Sequence, residues 1–512
     1  MKKKGVLGLV LTVVLLAGVF SACRRQSTAA PSAEGLGRGI VVAIGADTPA
    51  IAPAQFNNTT GFYVVTMTHN GLFRIDAETL DPVPDLTADW KAISNTVFEF
   101  TIHEGIKFHN GEEMTAQDIV ASFNYARTFP ISENSLRSLV DYETVDRYTV
   151  RINTGNPNAM LFNDLASHAT FIMPKSLIDA GNDFNVNPIG SGPFVFQEWR
   201  RGDSFSFTAF NDYFDKERAA KVESVTIRII PEGFSRTLAL ETGEIDYNVF
   251  LQSSDVNRLE NDPNFTVVIA PSTQYNMMYL NNDLPQFDSV YKRRAIGMAI
   301  DKESMMLAAY DGFTEPSWSQ GPPVFAGATE EGSYRFDPAG ARSLLAEHNI
   351  TPASLGFEII THAGPRATMA QVVQANLADI GITVTIVMQD VPTLQQRLNS
   401  GNFEAGFMGF TQSSLLGYMR LVFAGFSIGT TNRSRVNDLE LNSLIFRATA
   451  QVTDIDARNV FLEQAVILAN QQAYQIPLHL ATLIRAHNSN LIVPEHAATD
   501  FPLYLNMVYW AR

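Results

Sequence analysis

Residues 425–429 (GFSIG) match the GxSxG pattern that surrounds the nucleophilic serine of many hydrolases. In that chemistry a histidine activates the serine and an acid orients the histidine, and Asp438 and His479 follow in a chain order that allows it. The pattern also requires a strand before the serine and a helix after it. Residues 421–423 are apolar enough for a short strand, but residues 430–434 are poor helix starters. With 33 glycines in the chain the string also arises by chance, so a hydrolase is the less favoured alternative.

The nine histidines are dispersed and predict no catalytic metal centre. No HExxH string is present, and His103 and His109 are separated by a turn, which indicates a scaffold role. His362, close to Arg366 in sequence, is the histidine best placed to contact a ligand. The sequence also has no GxxxxGK[ST] string, so ATP hydrolysis would belong to partner subunits. We therefore predict that the protein is not an enzyme and carries no cofactor.

The first 23 residues have the pattern of an export signal. Three lysines follow Met1, a mostly apolar stretch comes next, and small residues lead to Cys23, the single cysteine of the chain. The apolar stretch is shorter than the ~20 residues of a stable membrane span. Residues 20–23 (FSAC) resemble the lipobox of bacterial lipoproteins, with Phe20 in place of the usual leucine. The resemblance implies cleavage after residue 22 and a lipid on Cys23, and residues 24–39 then form a flexible tether.

Composition excludes several classes of protein. The formal net charge of −16 disfavours a nucleic acid partner, because phosphate binding requires a basic surface. Charged residues make up 18% of the chain, too few for global disorder. A single cysteine excludes a disulfide framework and a multi-cysteine metal site. No second apolar run is long enough to span a bilayer, so we predict a lipid-anchored body in the cell envelope, outside the cytoplasm.

The hydrophobic pattern of the body alternates between strand and helix periods, which predicts α/β or α+β layers. Thr115 is the expected N-cap of one helix, with Asp118 three residues later, and Pro477 is expected to close the segment after the last helix. The predicted strands are 40–44, 97–103, 222–230 and 382–388, and the predicted helices are 115–127, 337–345, 369–379 and 457–473.

Several short stretches of the chain follow one another in a characteristic order. They are residues 84–90 (PDLTADW), 102–119 and 187–194 (NPIGSGPF), with shorter matches in 211–214, 243–246, 293–302 and 336–345. Together these stretches resemble the bacterial extracellular solute-binding proteins of family 5, which serve peptide and nickel ABC importers. The resemblance covers nearly all of residues 40–512. It implies an α/β, two-lobed fold of the periplasmic-binding-protein type (type II), with an extra subdomain inserted in the first lobe.

The resemblance also implies domain boundaries. The first lobe would be discontinuous, with residues 40–70, 187–270 and 487–512, and residues 71–186 would form its inserted subdomain. Residues 271–486 would form the second lobe. In this family the ligand binds between the lobes, and closure of the lobes buries it. Trp90 and the turns at 108–111 and 190–193 are expected to be scaffold, because packing and turn chemistry explain them without a ligand.

One segment departs from the family pattern. Dipeptide- and oligopeptide-binding members place an aspartate, in a Gly-Trp-x-x-Asp segment, against the ligand ammonium. The matching residues here are 409–413, so Phe410 stands where the tryptophan is expected and Ser413 where the aspartate is expected. A hydroxyl brings no compensating charge, and at ~4 Å and an effective dielectric constant of ~20 the missing attraction is about 4 kcal/mol. Either another acid substitutes, with Asp390 and Glu404 nearby in sequence, or the ligand has no free ammonium there.

The remaining ligand-contact candidates come from three other segments. Arg366 opens a helix and can bind a carboxylate through two N–H groups. Tyr275 and Asn276 are expected to start a second-lobe strand near the hinge, and Phe62 follows the first strand at a βα turn, where ligands often bind. The complete set of predicted ligand contacts is Phe410, Thr411, Gln412, Ser413, Arg366, Tyr275, Asn276 and Phe62.

These observations predict a monomeric, lipid-anchored substrate-binding protein of an ABC importer. It would capture a peptide-like solute between two lobes and deliver it to a membrane permease, with ATPase subunits as further partners. A non-peptide ligand, such as a sugar or a metal chelate, is the alternative within the family, and Ser413 motivates it. The alternative from another class is a secreted serine hydrolase that uses Ser427.

Overall fold

The computed structural model describes residues 36–56, 58–494 and 503–511 of the chain. The predicted signal segment and Cys23 lie outside the described residues. Strands and helices alternate, which confirms the predicted α/β class. The strands are β1 (Ile40–Ile44), β2 (Phe73–Ile75), β3 (Pro82–Pro84), β4 (Thr87–Ala92), β5 (Val97–Ile102), β6 (Asp141–Thr144), β7 (Thr149–Asn153), β8 (Phe194–Arg200), β9 (Ser204–Ala209), β10 (Ser224–Ile229), β11 (Tyr247–Asn248), β12 (Phe265–Leu280), β13 (Phe357–Thr361), β14 (Val384–Met388), β15 (Ala405–Thr411), β16 (Gln475–Asn488), β17 (Leu491–Ile492) and β18 (Tyr509–Trp510). The α-helices are α1 (Thr59–Thr68), α2 (Ala116–Ala126), α3 (Glu133–Leu136), α4 (Leu161–Leu165), α5 (Lys175–Asp179), α6 (Gly233–Glu241), α7 (Ser253–Glu260), α8 (Val290–Met298), α9 (Lys302–Tyr310), α10 (Pro338–Glu347), α11 (Pro365–Asp379), α12 (Val391–Ser400), α13 (Leu415–Phe423), α14 (Leu439–Ala450) and α15 (Ile455–Gln472).

A ten-stranded mixed sheet forms the backbone of the fold, with the strand order β14-β13-β15-β12-β16-β11-β1-β10-β9-β8. Its two longest strands, β12 and β16, have 16 and 14 residues and pair with each other antiparallel. The early part of β12 pairs with the late part of β16, on the side where β16 also contacts β11. The late part of β12 pairs with β15 on its other edge. The chain therefore crosses twice between two halves of the sheet, and the register of the crossing pair is interrupted between Pro271 and Tyr275.

Several helix boundaries follow the local signals in the sequence. Thr115 precedes α2, and the Asp118 carboxylate accepts its backbone N–H at 2.7 Å, as predicted. Asp337 caps α10 by accepting the Gly340 N–H at 2.8 Å, and Pro338 occupies the first helical position. Asp301 caps α9 in the same way through the Ser304 N–H. Short polar side chains at these positions satisfy N–H groups that have no partner inside the helix.

A second, four-stranded sheet with the order β4-β5-β7-β6 lies within residues 87–153. Its aromatic residues pack on α4: the Trp90 and Phe162 ring centroids are 4.9 Å apart, and the Phe100 and Phe162 centroids 6.2 Å. The buried apolar cluster around these rings also includes Leu415 and Phe423 of α13. Trp90 is therefore part of the packing, as expected, and the cluster joins residues that precede β12 in the chain to residues between β12 and β16.

Four local expectations are wrong. Tyr275 and Asn276 lie in the middle of β12 and do not start a strand. Pro477 lies inside β16, opposite Met277 and next to a register shift, where the ladder tolerates a residue without an N–H. Residues 421–423, which were expected to form a short strand, belong to helix α13. Phe62 was expected in the loop between the first strand and the next helix, but it lies within helix α1. Within the described ranges, no helix combines the length and apolar character that crossing a membrane requires.

Candidate ligand-binding site

Three adjoining cavities, which share Asn163 and Ser413, form a continuous crevice. One wall comes from residues 58–168, which precede β12 in the chain, and the other from residues 273–462, which begin within β12 and end before β16. The central cavity, of about 390 Å³, is lined by Phe62, His168, Thr273 and Thr411. The charged cavity, of about 220 Å³, is lined by Arg137, Asp164 and Arg420. The third cavity, of about 60 Å³, is lined by Asp81 and Arg458.

Ser413 is positioned by the junction between β15 and α13. Ser414, the next residue, caps α13 by accepting the Gly417 N–H at 3.1 Å, so the chain turns sharply at this point. On the opposite wall, Asn58 caps α1 by accepting the Gly61 N–H at 2.9 Å, and α4 carries Asn163. The ends of strands and helices therefore position the side chains on both sides of the crevice.

The central cavity is aromatic on one side and electrically neutral. The Phe62 and His168 rings meet edge to face with centroids 5.8 Å apart, and His168 also stacks on Phe56 at 4.4 Å. Burial lowers the pKa of His168 to about 4, although its hydrogen bond with the Phe56 carbonyl acts in the opposite direction, so the ring is uncharged at neutral pH. The Thr273 hydroxyl is buried and has no partner among the described residues. These groups can contact an uncharged, hydrogen-bonding ligand body.

The charged cavity differs in its electrostatics. Burial raises the pKa of Asp164 to about 7, while Ser138, Arg420 and Arg137 act in the opposite direction. Burial also lowers the pKa of Arg420, and one of its terminal N–H groups donates to the Asn158 Oδ1 at 3.2 Å. The cavity therefore contains one carboxyl group, which titrates near neutral pH, and two guanidinium groups, and Ser413 lines it as well.

The third cavity pairs Asp81 with Arg458. Burial lowers the pKa of Arg458, and the Asp81 carboxylate acts in the opposite direction. Asp81 itself is exposed. This small cavity therefore adds a solvent-facing polar end to the crevice.

The structure brings four of the predicted contacts together. Phe62, Thr411, Gln412 and Ser413 all line the central cavity, and Gln412 and Ser413 also line the charged one. Phe410 is half-buried and packs against Tyr418, with ring centroids 6.4 Å apart. The segment 411–413 thus faces the crevice, whereas Phe410 contributes to its support.

The other predicted contacts lie elsewhere. Tyr275 is fully buried, and its hydroxyl bonds with the Ser317 hydroxyl at 2.6 Å. Arg366 donates to the Asn276 Oδ1 at 2.6 Å and to the His362 ring at 2.8 Å. Arg366, Asn276 and His362 thus form a second polar cluster, and neither this cluster nor Tyr275 lines the three cavities.

The two acids considered as substitutes for the missing aspartate have structural tasks. Asp390 caps α12 by accepting the Thr393 N–H at 2.9 Å. Glu404 accepts the Glu358 backbone N–H, which joins β15 to β13. In the charged cavity, which Ser413 also lines, the carboxyl group is that of Asp164, and sequence reasoning missed it because the five-residue helix α4 carries no motif.

Residues 421–439 do not form the strand–serine–helix elbow that the hydrolase alternative requires. Ser427 lies in a short 3₁₀ turn that follows helix α13, and no helix begins until Leu439. Its side chain is 3% exposed, and its hydroxyl donates to the Arg420 carbonyl at 3.1 Å. Asp438 caps α14 and accepts the Tyr474 hydroxyl at 2.8 Å. Among the described residues, no group of three or more His, Cys, Asp or Glu side chains could hold a metal ion.

Comparisons with known proteins agree with the fold. Residues 81–425 match the family model of the bacterial extracellular solute-binding proteins, family 5, middle region. The chain is 26% identical to the glutathione-binding protein GsiB of Salmonella paratyphi A over 472 residues, which cover 88% of this chain and 91% of that protein. It is also 26% identical to heme-binding protein A of Haemophilus influenzae, with 93% and 94% of the two chains covered.

A solved structure shows the same fold. The periplasmic binding protein DppA of Helicobacter pylori, in complex with the peptide STSA, superposes with a TM-score of 0.77 at 23% identity, over 93% of this chain and 99% of that one. The predicted two-lobed architecture of periplasmic-binding-protein type is thereby confirmed. Since the family model spans most of the described body, this chain belongs to the bacterial extracellular solute-binding proteins of family 5.

Proposed function

We propose that this protein is the substrate-binding component of an ABC importer and that it captures peptide-like solutes in the crevice around Asn163 and Ser413. The observation that carries the proposal is the crevice itself, which has one wall from residues that precede β12 in the chain and one from residues within and after β12. Family membership supports the role, and so do a relative named for glutathione and a structural neighbour that holds a peptide. A membrane permease and its ATPase subunits then complete the transport cycle.

The crossing pair β12 and β16 provides the hinge in this proposal. The first lobe comprises residues 40–70, 187–270 and 487–512, with the inserted subdomain at 71–186, and the second lobe comprises 271–486. Bending at the register interruption near Pro271 changes the width of the crevice with little change inside either half of the sheet. Closure removes water from the ligand, so each buried polar group of a peptide without a partner costs ~1–3 kcal/mol.

The neutral central cavity suits the body of a short peptide. Thr273, Thr411 and Gln412 provide hydroxyl and amide groups, and Phe62 provides an apolar face. Peptide amides need such donors and acceptors, and they need no net charge. Peptide ends, which are charged, then reach the charged cavity or the third cavity.

A non-peptide ligand is the second candidate within the family. The absence of a carboxylate at Ser413 favours it, and a relative named for heme supports a chelate as one such class. The central cavity, with its aromatic wall of Phe62 and His168, accommodates an apolar ring as well as a peptide backbone.

Native mass spectrometry of protein purified without denaturation separates these candidates. We expect a heterogeneous set of short peptides or peptide-like molecules of low mass. A single saccharide or a single metal chelate would favour the second candidate. If calorimetry with peptide, sugar and chelate libraries gave no saturable binding, the proposal would be wrong.

Lipid anchoring through Cys23 is the second part of the proposal, and the sequence at residues 20–23 supports it. A chain with its only thiol acylated stays with the membrane fraction, because acyl chains contribute ~0.8 kcal/mol per buried methylene. Cys23→Ser should move the protein to the soluble fraction, and Ser21→Ala is the matched control that should leave it anchored. Membrane association of the Cys23→Ser protein would contradict the anchor.

A further inference from the structure

The two walls of the crevice are joined directly at one end. On the wall of residues 58–168, Asn158 and Ala159 lie in the turn just before α4. The Ala159 N–H donates to the carbonyl of Thr449, in α14, at 2.8 Å. A terminal N–H of Arg420, in α13, donates to the Asn158 Oδ1 at 3.2 Å. Both bonds join protein groups to protein groups, so they form without a solute.

The bond between Ala159 and Thr449 involves a buried amide and a helix end. Thr449 lies in the last turn of α14, where a carbonyl has no partner inside its own helix. Ala159 is 1% exposed, so its N–H is shielded from water while the walls are in contact. Separation of the walls would transfer both groups to water, and exchange of the Ala159 amide hydrogen therefore reports that separation.

The partners of the second bond are fixed by their own surroundings. The Arg420 carbonyl accepts the Ser427 hydroxyl at 3.1 Å, which holds the last turn of α13 in place. The Asn158 Oδ1 also accepts the Met160 N–H at 3.1 Å, which fixes the orientation of the amide group. A charged donor on an acceptor that is already oriented makes a stronger bond than a neutral pair does.

Apolar packing extends the contact between the walls. Leu161 of α4 and Leu416 of α13 belong to one buried apolar cluster. Met160 reaches Gly417 of α13, where a β-carbon would lie 3.4 Å from the Met160 methyl group. Separation of the walls would expose part of this apolar surface, so the equilibrium between contact and separation should depend on urea.

Charges in the charged cavity act on this contact in both directions. Burial lowers the pKa of Arg420, the Asp164 carboxylate raises it and Arg137 lowers it. Attraction to Asp164 and repulsion from Arg137 therefore oppose each other, and the two hydrogen bonds and the apolar packing hold the walls together.

These contacts must break if the crevice is to widen at this end, because they connect one wall to the other. Resting on the proposed function, we propose that residues 156–160 and the last turns of α13 and α14 form a latch. The latch holds the walls together without a solute and must release before a solute enters. Solute capture is then controlled by release of the latch as well as by bending at the hinge.

Native-state hydrogen exchange of the ligand-free protein, resolved by residue and measured in urea below the unfolding transition, tests the latch. The Ala159 amide should exchange at least about tenfold more slowly than an unstructured amide. Its exchange should accelerate with urea, because release exposes surface. The slope should be smaller than that of the Ile152 amide, which lies in the buried strand β7 between β5 and β6 and exchanges on global unfolding.

A variant at Arg420 tests the contribution of the charged donor. Arg420→Gln should accelerate exchange at Ala159 about tenfold more than at Ile152. Arg147→Gln is the matched control, because it removes the same charge from an exposed ion pair with Glu113 that lies within residues preceding β12. It should leave the ratio of the two exchange rates unchanged. If Arg420→Gln does not fold, the urea slopes of the wild type decide the question.

Four results would overturn the latch. Rapid exchange at Ala159 would show that the walls are apart without a solute, and a slope of zero would show a local fluctuation. A slope equal to that of Ile152 would show a permanent joint, and equal acceleration of both amides by Arg420→Gln would show a general loss of stability. Each of these results leaves the proposed function standing, because no solute is used. The proposed function fails separately if no peptide binds in calorimetry, and the wall contact then has no role in solute entry.

Discussion

Removal of the Asp164 carboxylate should stabilise the ligand-free protein, and the size of the effect should depend on pH. The folded protein holds the pKa of Asp164 near 7, against an ordinary value of 3.8. Between these two values the folded state binds more protons than the unfolded state does. The contribution of Asp164 to the free energy of unfolding therefore falls as the pH rises from about 4 to about 7.

Asp164→Asn removes this dependence because an amide does not titrate. Each pKa unit corresponds to 1.36 kcal/mol, so a shift of about three units is worth at most about 4 kcal/mol. The variant should match the wild type near pH 4 and exceed it by up to about 4 kcal/mol at pH 8, where the shift is fully expressed. Contact of the cavity with solvent makes this value an upper limit.

Urea unfolding of both ligand-free proteins across pH 4–8 measures the difference directly, because contributions from all other groups cancel between them. Asp81→Asn, which removes an exposed carboxylate of the third cavity, is the matched control. A flat curve for Asp164→Asn, or one in which the variant loses stability as the pH rises, would refute the reasoning. The Asp164 carboxylate thus lowers the free energy of unfolding of the ligand-free protein, which is a loss of stability that a binding site tolerates.

Three further predictions concern other parts of the site and its scaffold. Ser413→Asp restores the family carboxylate and should raise the affinity for α-peptides with a free amino terminus about tenfold or more in calorimetry, whereas Ser413→Asn or an N-acetylated peptide should show no gain. Burial lowers the pKa of His168 to about 4, so its contribution to stability is present above about pH 6.5 and is lost as the pH falls towards 4. His168→Gln should therefore reduce the loss of stability in acid by about 3 kcal/mol in urea unfolding, and an unchanged pH dependence would contradict the burial. Gly190→Ala would place a methyl group 2.1 Å from the Thr68 carbonyl oxygen and should lower the free energy of unfolding by more than about 2 kcal/mol, whereas Gly202→Ala, in open space at a φ of +72°, should lower it by about 1–2 kcal/mol. Equal losses of stability in thermal unfolding would contradict the close approach at Gly190.

Local structure was predictable where short-range chemistry determines it. The strand at 40–44 has the predicted bounds, and Thr115 and Asp337 precede their helices as predicted because side-chain capping involves residues only three apart. The crossing pair was not predictable in the same way. Residues 265–280 and 475–488 pair across a long sequence separation, and the pattern of either segment alone does not reveal its partner.

The candidate site shows the same division. Thr411 and Ser413 were identified from the order of motifs around them, and the strand–helix junction places them in the crevice. Asp164 had no such signal, because its role depends on burial and on its position opposite Ser413, which only the tertiary fold creates. Tyr275 shows the converse: its type and segment suggested a ligand contact, but its hydroxyl is used inside the core.

The most direct test of the crevice as the solute-binding site is a crystal structure of protein purified without denaturation and supplied with a saturating peptide mixture. We expect electron density for a solute between the wall that carries Asn163 and the wall that carries Ser413, with the body of the solute against Phe62 and Thr411. Density for the solute at a different surface, with these three cavities filled only by water, would contradict the central claim.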